Sequence, residues 1–370
     1  MQHPAIAPKD QPMNAPQPHP SAPAPSDFTL HQALEKIISG EDLSRREAES
    51  AMERILTGQS NDAQIAGFLA ALRMKGETVD ELVGFAKVMR RHAAPIFPQG
   101  RKFAANEPLI DTCGTGGDTR STFNISTAAA FVVAGAGVRV AKHGNRSISS
   151  RCGAADVLEA LGIRMDLPPE SAGRAIEEIG VGFLYAPAVH TATRHAMNAR
   201  RELKIRTAFN LLGPLTNPAG ASSQLAGVFD ESYVELLARA LGELGVERAF
   251  VVHGNDGLDE ITLTTETQVA ELRNGGVRTY TLAPEDFAVP RAPIEALAGG
   301  DAQHNAQIIR RILDREHGPR RDIVVANASA ALVAAGSAKD FLDGVRQAAH
   351  SIDSGAARAK LDALVAFHCV

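Results

Sequence analysis

A chain of 370 residues, 44% of them hydrophobic, can bury a substantial core and has room for about two domains. Its 38 Lys and Arg against 43 Asp and Glu give a net charge of −5, which excludes an overall electrostatic footprint for nucleic acid, a local basic patch aside. No apolar run approaches the ~18 residues of a membrane-spanning helix, and the N-terminus carries no signal-peptide apolar region. Cys113, Cys152 and Cys369 are odd in number and far apart, which suits a reducing compartment better than a disulfide framework; the cytoplasm is the expected location.

Residues 1–26 are rich in Pro, Ala and Gln and cannot offset their own ordering entropy, so a disordered tail is expected there. Short amphipathic helices follow over 27–95. Leu30, Leu34, Ile37 and Ile38 form one stripe. Ser44-Arg45-Arg46-Glu47 and Thr78-Val79-Asp80-Glu81 are capping boxes, and Asn61 opens a helix between them. Such a unit indicates packing or dimerisation and no chemistry. After the Pro-rich stretch at 94–98 the character changes to alternating strand and helix. Strands are expected before Asp111, at Val138–Ala141, Val181–Tyr185, Gln224–Val228 and Arg248–Val252. Helices are expected at Asp156–Leu161 and Tyr233–Leu244, a hairpin at Thr264–Leu282, and a helical end from Ala326 to Val365. The fold class is therefore α/β: a small all-helical N-terminal domain, with helices around 190–205 joining it, and a larger domain over 105–370 with a mostly parallel sheet.

The polar clusters fall just after expected strands, where ligands of such sheets sit. The first is Asp111-Thr112-Cys113-Gly114-Thr115-Gly116-Gly117-Asp118, followed by a helix opening on the hydroxyl caps Ser126 and Thr127. Bare glycine backbone and a helix N-terminus together suit phosphate. The pattern is neither the GxGxxG fingerprint nor a GxxxxGK[ST] loop, and a ligand-free turn accounts for it equally well on its own. The second cluster, Lys142 to Ser150, offers cations, a carboxamide and three hydroxyls suited to phosphate and sugar; a solvated polar loop is its bland alternative. The third, His253 to Glu260, contains Asp259 and Glu260, hard oxygen donors of the kind Mg²⁺ takes. In isolation that pair reads as a surface turn, and beside two phosphate-suited loops the metal reading is favoured. The fourth carries Arg194, Arg200, Arg201, Lys204 and Arg206, mostly a solvated or capping basic face, of which at least one could clamp a carboxylate.

With Asn210-Leu211-Leu212-Gly213-Pro214-Leu215-Thr216-Asn217-Pro218, these motifs resemble the anthranilate phosphoribosyltransferases, within the superfamily of pyrimidine nucleoside phosphorylases. The resemblance runs from about Phe28 to near the C-terminus. It implies transfer of a phosphoribosyl group from phosphoribosyl pyrophosphate to the amine of anthranilate, and a hinge between two lobes. It also implies a homodimer through the helical domain. Carried over by position, Gly114, Gly117, Asp118, Thr122, Asn124, Ile125, Ser126, Thr127, Lys142, His143, Gly144, Asn145, Arg146, Ser147, Ile148, Ser149, Ser150 and Ala154 hold the donor. Ser126, Asp259 and Glu260 meet Mg²⁺. Gly114, Asn145 and Arg200 contact anthranilate, Arg200 through its carboxylate, and His190 is a pocket histidine; Lys142, Asn145 and Arg200 are the expected catalytic groups. The chain departs from the family pattern at Arg151, Cys152, Ala154, Thr191 and Thr193, positions that bear on the acceptor pocket. A phosphorylase of pyrimidine nucleosides on the same scaffold is the nearest rival. A non-catalytic nucleic-acid-binding relative would lose the glycine and acidic motifs, which this chain keeps.

Overall fold

The computed structural model describes residues 27–100, 103, 107–117, 120–147 and 151–368; the expected tail lies outside them. Among the described residues, four helices come first: α1 (Leu30–Ile38), α2 (Arg45–Leu56), α3 (Asp62–Lys75) and α4 (Val79–Arg91). Each starts at a reciprocal capping box, Thr29/Gln32, Ser44/Glu47, Asn61/Gln64 and Thr78/Glu81. A box pairs main-chain N–H groups that the first helical turn leaves without partners. The stripe on α1 needs one correction. Leu30, Ala33 and Ile37 are buried at helical spacing, whereas Ile38 is 70% exposed because it lies about a hundred degrees around the helix from Ile37.

The remainder alternates: β1 (Leu109–Gly114), α5 (Ile125–Gly135), β2 (Arg139–Gly144), α6 (Ala154–Leu161), α7 (Pro169–Glu178), β3 (Val181–Tyr185) and α8 (Ala186–Val189). Then come α9 (Arg194–Leu203), α10 (Ala208–Leu215), β4 (Ser223–Gly227), α11 (Tyr233–Glu243), β5 (Arg248–Gly254), β6 (Thr267–Arg273) and β7 (Gly276–Leu282). Four helices close the chain: α12 (Ala302–Leu313), α13 (Pro319–Ala334), α14 (Phe341–Asp353) and α15 (Ala356–His368). The helical end thus begins earlier than Ala326, at Pro319 after Gly318, and is broken into three helices. The start of α5 also differs from expectation. Asn124 is its N-cap residue and makes no side-chain cap bond, nor do the Ser126 and Thr127 hydroxyls cap it. A carboxylate from far along the chain does that work instead, as the site shows below.

Among the described residues, seven strands form one sheet in the order β3-β2-β1-β4-β5-β6-β7, parallel from β3 to β5 and antiparallel at β6 and β7. Side chains alternate between two cores. On β5, Phe250 and Val252 enter one with α5, α12 and α13, while Ala249 and Val251 enter the other. That second core is continuous with α1 to α4 and with Ala196 and Ala199 of α9, so the helical lobe packs on the sheet through α10 and α11. β1 and β4 are neighbours although β2 and β3 lie between them in the chain. The strand order reverses there, which opens a crevice at the strands' C-terminal ends.

The two lobes are tied by Arg90 of α4. Its Nε donates to the Leu215 carbonyl at 2.8 Å and its Nη1 to the Leu244 carbonyl at 3.0 Å. These carbonyls belong to the C-terminal ends of α10 and α11, which lack helical partners and carry the negative end of the helix dipole. Burial lowers the guanidinium pKa to about 10, which leaves it charged at neutral pH. Replacing Arg90 by Met should therefore cost about 2–4 kcal/mol of unfolding free energy. The measurement is urea denaturation, where the midpoint falls at unchanged slope; a loss below ~0.5 kcal/mol would show the tie to be incidental.

Candidate active site

Three loops at the C-terminal ends of β1, β2 and β5 converge on the crevice. Gly116, after β1, donates its N–H to Asp259 Oδ2 at 2.8 Å, and Ser126, in the first turn of α5, donates its N–H to Glu260 Oε1 at 3.0 Å. Lys142, on β2, donates from Nζ to Ser126 Oγ at 3.2 Å and to the Thr112 carbonyl of β1. The close approach explains two glycines. A Cβ on Gly114 would lie 2.6 Å from Asp259 Oδ2, and one on Gly227 would lie 1.5 Å from the Asp259 carbonyl oxygen. Gly116 and Gly117 adopt φ of +66° and +81°, a region other residues enter only with strain.

The electrostatics follow from burial. It raises the pKa of Asp259, against the Gly116 N–H and the charges of Lys142 and Arg206. Glu260 is pushed up to about 8 by burial and by the neighbouring Asp259 charge, against Lys142 and Ser126. Burial lowers the Lys142 pKa, opposed by Asp111, Glu260 and Asp259. Two half-buried carboxyl groups thus face one buried ammonium, and with its pKa near 8 Glu260 keeps its proton at neutral pH until a cation displaces it.

Beneath this cluster lies Asp111, fully buried. Its Oδ1 accepts the His143 N–H at 3.0 Å and its Oδ2 accepts Asn217 Nδ2 at 2.8 Å, while Asn217 also reaches the Ala141 carbonyl at 2.8 Å. Asn327 of α13 supports the other side. It accepts the Ile261 N–H at 3.0 Å and donates to the Ile261 carbonyl at 2.9 Å, fixing the residue after Glu260. Asp256 is used inside its own turn by Leu258, Thr262 and Thr264, so of that acidic cluster only Asp259 and Glu260 meet the other loops.

The remaining expected site residues are distributed unevenly. Thr122 bridges to Ala298. The Asn124 side chain joins Cys152 and Asn305, Ile125 packs in the core, and the Thr127 hydroxyl is buried without a partner among the described residues. His143 and His190 form a second buried group with ring centroids 5.1 Å apart, His143 holding the Gly213 carbonyl at 3.0 Å. Burial, with the neighbouring His143 imidazole, lowers the His190 pKa to about 3, so that imidazole is neutral. Gly144 approaches Ala154 and Phe183, whose atoms lie 3.2 Å or less from where a Gly144 Cβ would be. Asn145 accepts the Arg146 N–H; Arg146 is pinned to Asp156 and Glu159 of α6, and Ser147 donates its N–H to Asp156. Arg200 stands apart on α9, its guanidinium 4.8 Å from the Phe209 ring centroid and without a carboxylate partner among the described residues. Asp118, Ile148, Ser149 and Ser150 lie outside the described residues.

Asp111 with Asn217, Asn327 and Arg206 are structural participants that motif reading leaves unassigned. Asn327 had a signal, a lone carboxamide in a run of small apolar residues, and Asn217 lies within the Asn210–Pro218 motif. Asn327→Leu leaves the N–H and carbonyl of Ile261 without partners in the interior. It should lower unfolding free energy by about 2–4 kcal/mol; thermal and urea unfolding both read it, and an unchanged midpoint would mean that the turn holds itself.

Residues 106–358 match the α/β-domain model of a glycosyl transferase family, and residues 31–93 match the helical-bundle-domain model of a glycosyl transferase family. An anthranilate phosphoribosyltransferase of Moorella thermoacetica is 56% identical over 338 residues, covering 91% of this chain and 98% of its own. One of Solibacter usitatus is 58% identical over 340 residues, covering 92% and 99%. The crystal structure of the Thermus thermophilus enzyme superposes with a TM-score of 0.85 at 45% identity, covering 91% of this chain and 99% of that one. The Saccharomyces cerevisiae enzyme, solved in complex with PRPP and Mg, superposes with a TM-score of 0.82 at 26% identity over 92% and 98% of the two chains. Shared sequence over nearly the whole length, on a shared fold, places this chain in the anthranilate phosphoribosyltransferase family.

Proposed function

We propose that this chain transfers the 5-phosphoribosyl group of phosphoribosyl pyrophosphate to the amine of anthranilate. The products are N-(5-phosphoribosyl)anthranilate and pyrophosphate, in tryptophan biosynthesis. The observation that carries the reading is the convergence of the Gly114–Gly117 turn, the N-terminus of α5, Lys142 and the Asp259–Glu260 pair on one crevice. It is supported by relatives of that name at 52–58% identity over most of the chain.

The donor set fits Mg²⁺. Two carboxylates and the Ser126 hydroxyl are hard oxygen ligands, and among the described residues no group of three or more His, Cys, Asp or Glu forms a closed cage. A small hard cation that keeps waters and takes substrate phosphates needs no more protein ligands than these. When bound, Mg²⁺ supplies charge screening for the departing pyrophosphate. The chain's own groups do the rest. The amine of anthranilate is neutral at pH 7 and already nucleophilic, so no strong base is required. The difficulty is a polyanion leaving a ribose carbon that becomes cation-like. Lys142 and the glycine turn, the latter held by the Gly116–Asp259 bond, are fixed before reaction, and therefore stabilise that charge without reorganising. Asn145 and Arg200 position the acceptor, Arg200 by clamping its carboxylate.

No helix among the described residues is long and apolar enough to cross a membrane, which fits a cytoplasmic place for this step. Ile38 and Met74, 70% and 88% exposed at the ends of the mutually packed α1 and α3, support a homodimer joined through the helical lobe.

Anthranilate fluorescence tests the reaction directly. It should fall when the donor and Mg²⁺ are added to the protein and persist if either is left out. Asp259→Asn with Glu260→Gln should lower turnover about 10²-fold or more and raise the Mg²⁺ requirement. Unchanged rates across a Mg²⁺ titration would remove both residues from the metal site. Arg200→Ala should raise the anthranilate KM about 10-fold or more while the donor KM stays within about 2-fold. Equal changes in both would contradict its assignment to the acceptor.

A further inference from the structure

Arg206 lies on the short connection from α9, which packs on the helical lobe, to α10, which packs on the sheet. The turn into this connection is made by Lys204 in the left-handed conformation, φ 52°. The Arg206 guanidinium donates to the Gly117 carbonyl and rests 4.2 Å from the Phe229 ring centroid. Phe229, just beyond β4, donates its N–H to Thr115 Oγ1 at 3.1 Å, and its ring meets Tyr233 at a centroid distance of 5.3 Å. The Tyr233 hydroxyl accepts from Arg73 of α3 and donates to Glu77 at 3.5 Å, just beyond that helix.

These contacts form one continuous stack. At one end two members of the glycine turn, Thr115 and Gly117, are held. At the other end the partners belong to the helical lobe. A turn with two consecutive glycines at positive φ has little preference of its own for one shape, so its shape is set by what grips it. The grip on the Asp259 side is the Gly116 N–H; the grip on the lobe side is Arg206. A guanidinium suits this place because one planar group can lie on an aromatic face and still aim a donor at a carbonyl.

We propose that Arg206 is a positioning residue for the phosphoribosyl donor. With Phe229 and Tyr233 it forms a strut that holds the glycine turn in its phosphate-accepting shape and couples that shape to the helical lobe. The proposal rests on the reading that this turn takes the donor's pyrophosphate.

The test measures donor and pyrophosphate binding by calorimetry in the presence of Mg²⁺, with KM values for both substrates and thermal midpoints. Arg206→Ala should raise the donor Kd and KM about 10-fold and leave the anthranilate KM within about 2-fold. Arg206→Lys keeps charge and stem but loses the planar fork, and should recover little of this; it also preserves the test if the alanine variant fails to fold. Tyr233→Phe removes a hydroxyl that touches only the lobe side of the stack. It should weaken donor binding about 3-fold, an effect that simple loss of a turn contact would not produce. A donor Kd within about 2-fold of wild type for both Arg206 variants overturns the proposal. A lower midpoint for Tyr233→Phe with unchanged donor Kd overturns the coupling through the strut. Wild-type protein that binds no donor refutes the functional reading itself, and the strut falls with it.

Discussion

Two adjacent, half-buried carboxyl groups, each tied to a main-chain N–H of a different loop, hold this site together. Asp259 takes the N–H of Gly116 and Glu260 that of Ser126, so a turn after β5 locks both the glycine turn and the first turn of α5. Burial raises the pKa of both, that of Glu260 further through the Asp259 charge, and Lys142 opposes the rise in each. The protein keeps this costly arrangement because the surroundings leave no other. Gly114 and Gly227 make room that any side chain would fill, and Asn327 pins Ile261 from below. The result is a crevice whose carboxyl groups and backbone are already fixed in place.

The sheet order makes that convergence possible. Reversal between β1 and β4 puts three loop ends side by side, and Asp111 stitches β1 to the end of β2 through the His143 N–H and Asn217. Around this rigid floor the helical lobe is attached differently. It shares an apolar core with one sheet face and is tied at Arg90, yet it also carries Arg200 and leads into Arg206. One lobe therefore supplies the proposed acceptor clamp, while the strand ends supply the groups suited to the leaving group.

Not every polar residue near the crevice faces a ligand. Arg146 is held by two carboxylates of α6, and Asp156 gathers the N–H groups of Ser147 and Gly153. Their work is to shape the loop after β2. The pair His143 and His190, each imidazole's pKa lowered by burial, forms a separate buried patch behind it. Residue types that suit phosphate in a motif thus divide into those that meet the charge cluster and those that hold the backbone around it.

Much of this was legible from the chain alone. The capping boxes of α2 and α4 depend on residues three positions apart, and the strands of the sheet on short apolar runs bounded by turns, so local chemistry sufficed for both. The clusters after β1, β2 and β5 could likewise be read as polar groups at strand ends. What local pattern could not supply was the partner of each group. The N-terminus of α5 carries Ser126 and Thr127, which look like caps, but its N–H goes to Glu260, 134 residues away. Asp111 finds Asn217 across 106 residues, and Arg206 reaches Gly117 across 89. Periodicity and spacing record what a segment will bury and where it will turn. Which buried charge meets which N–H is decided only when the sheet closes and removes water from both.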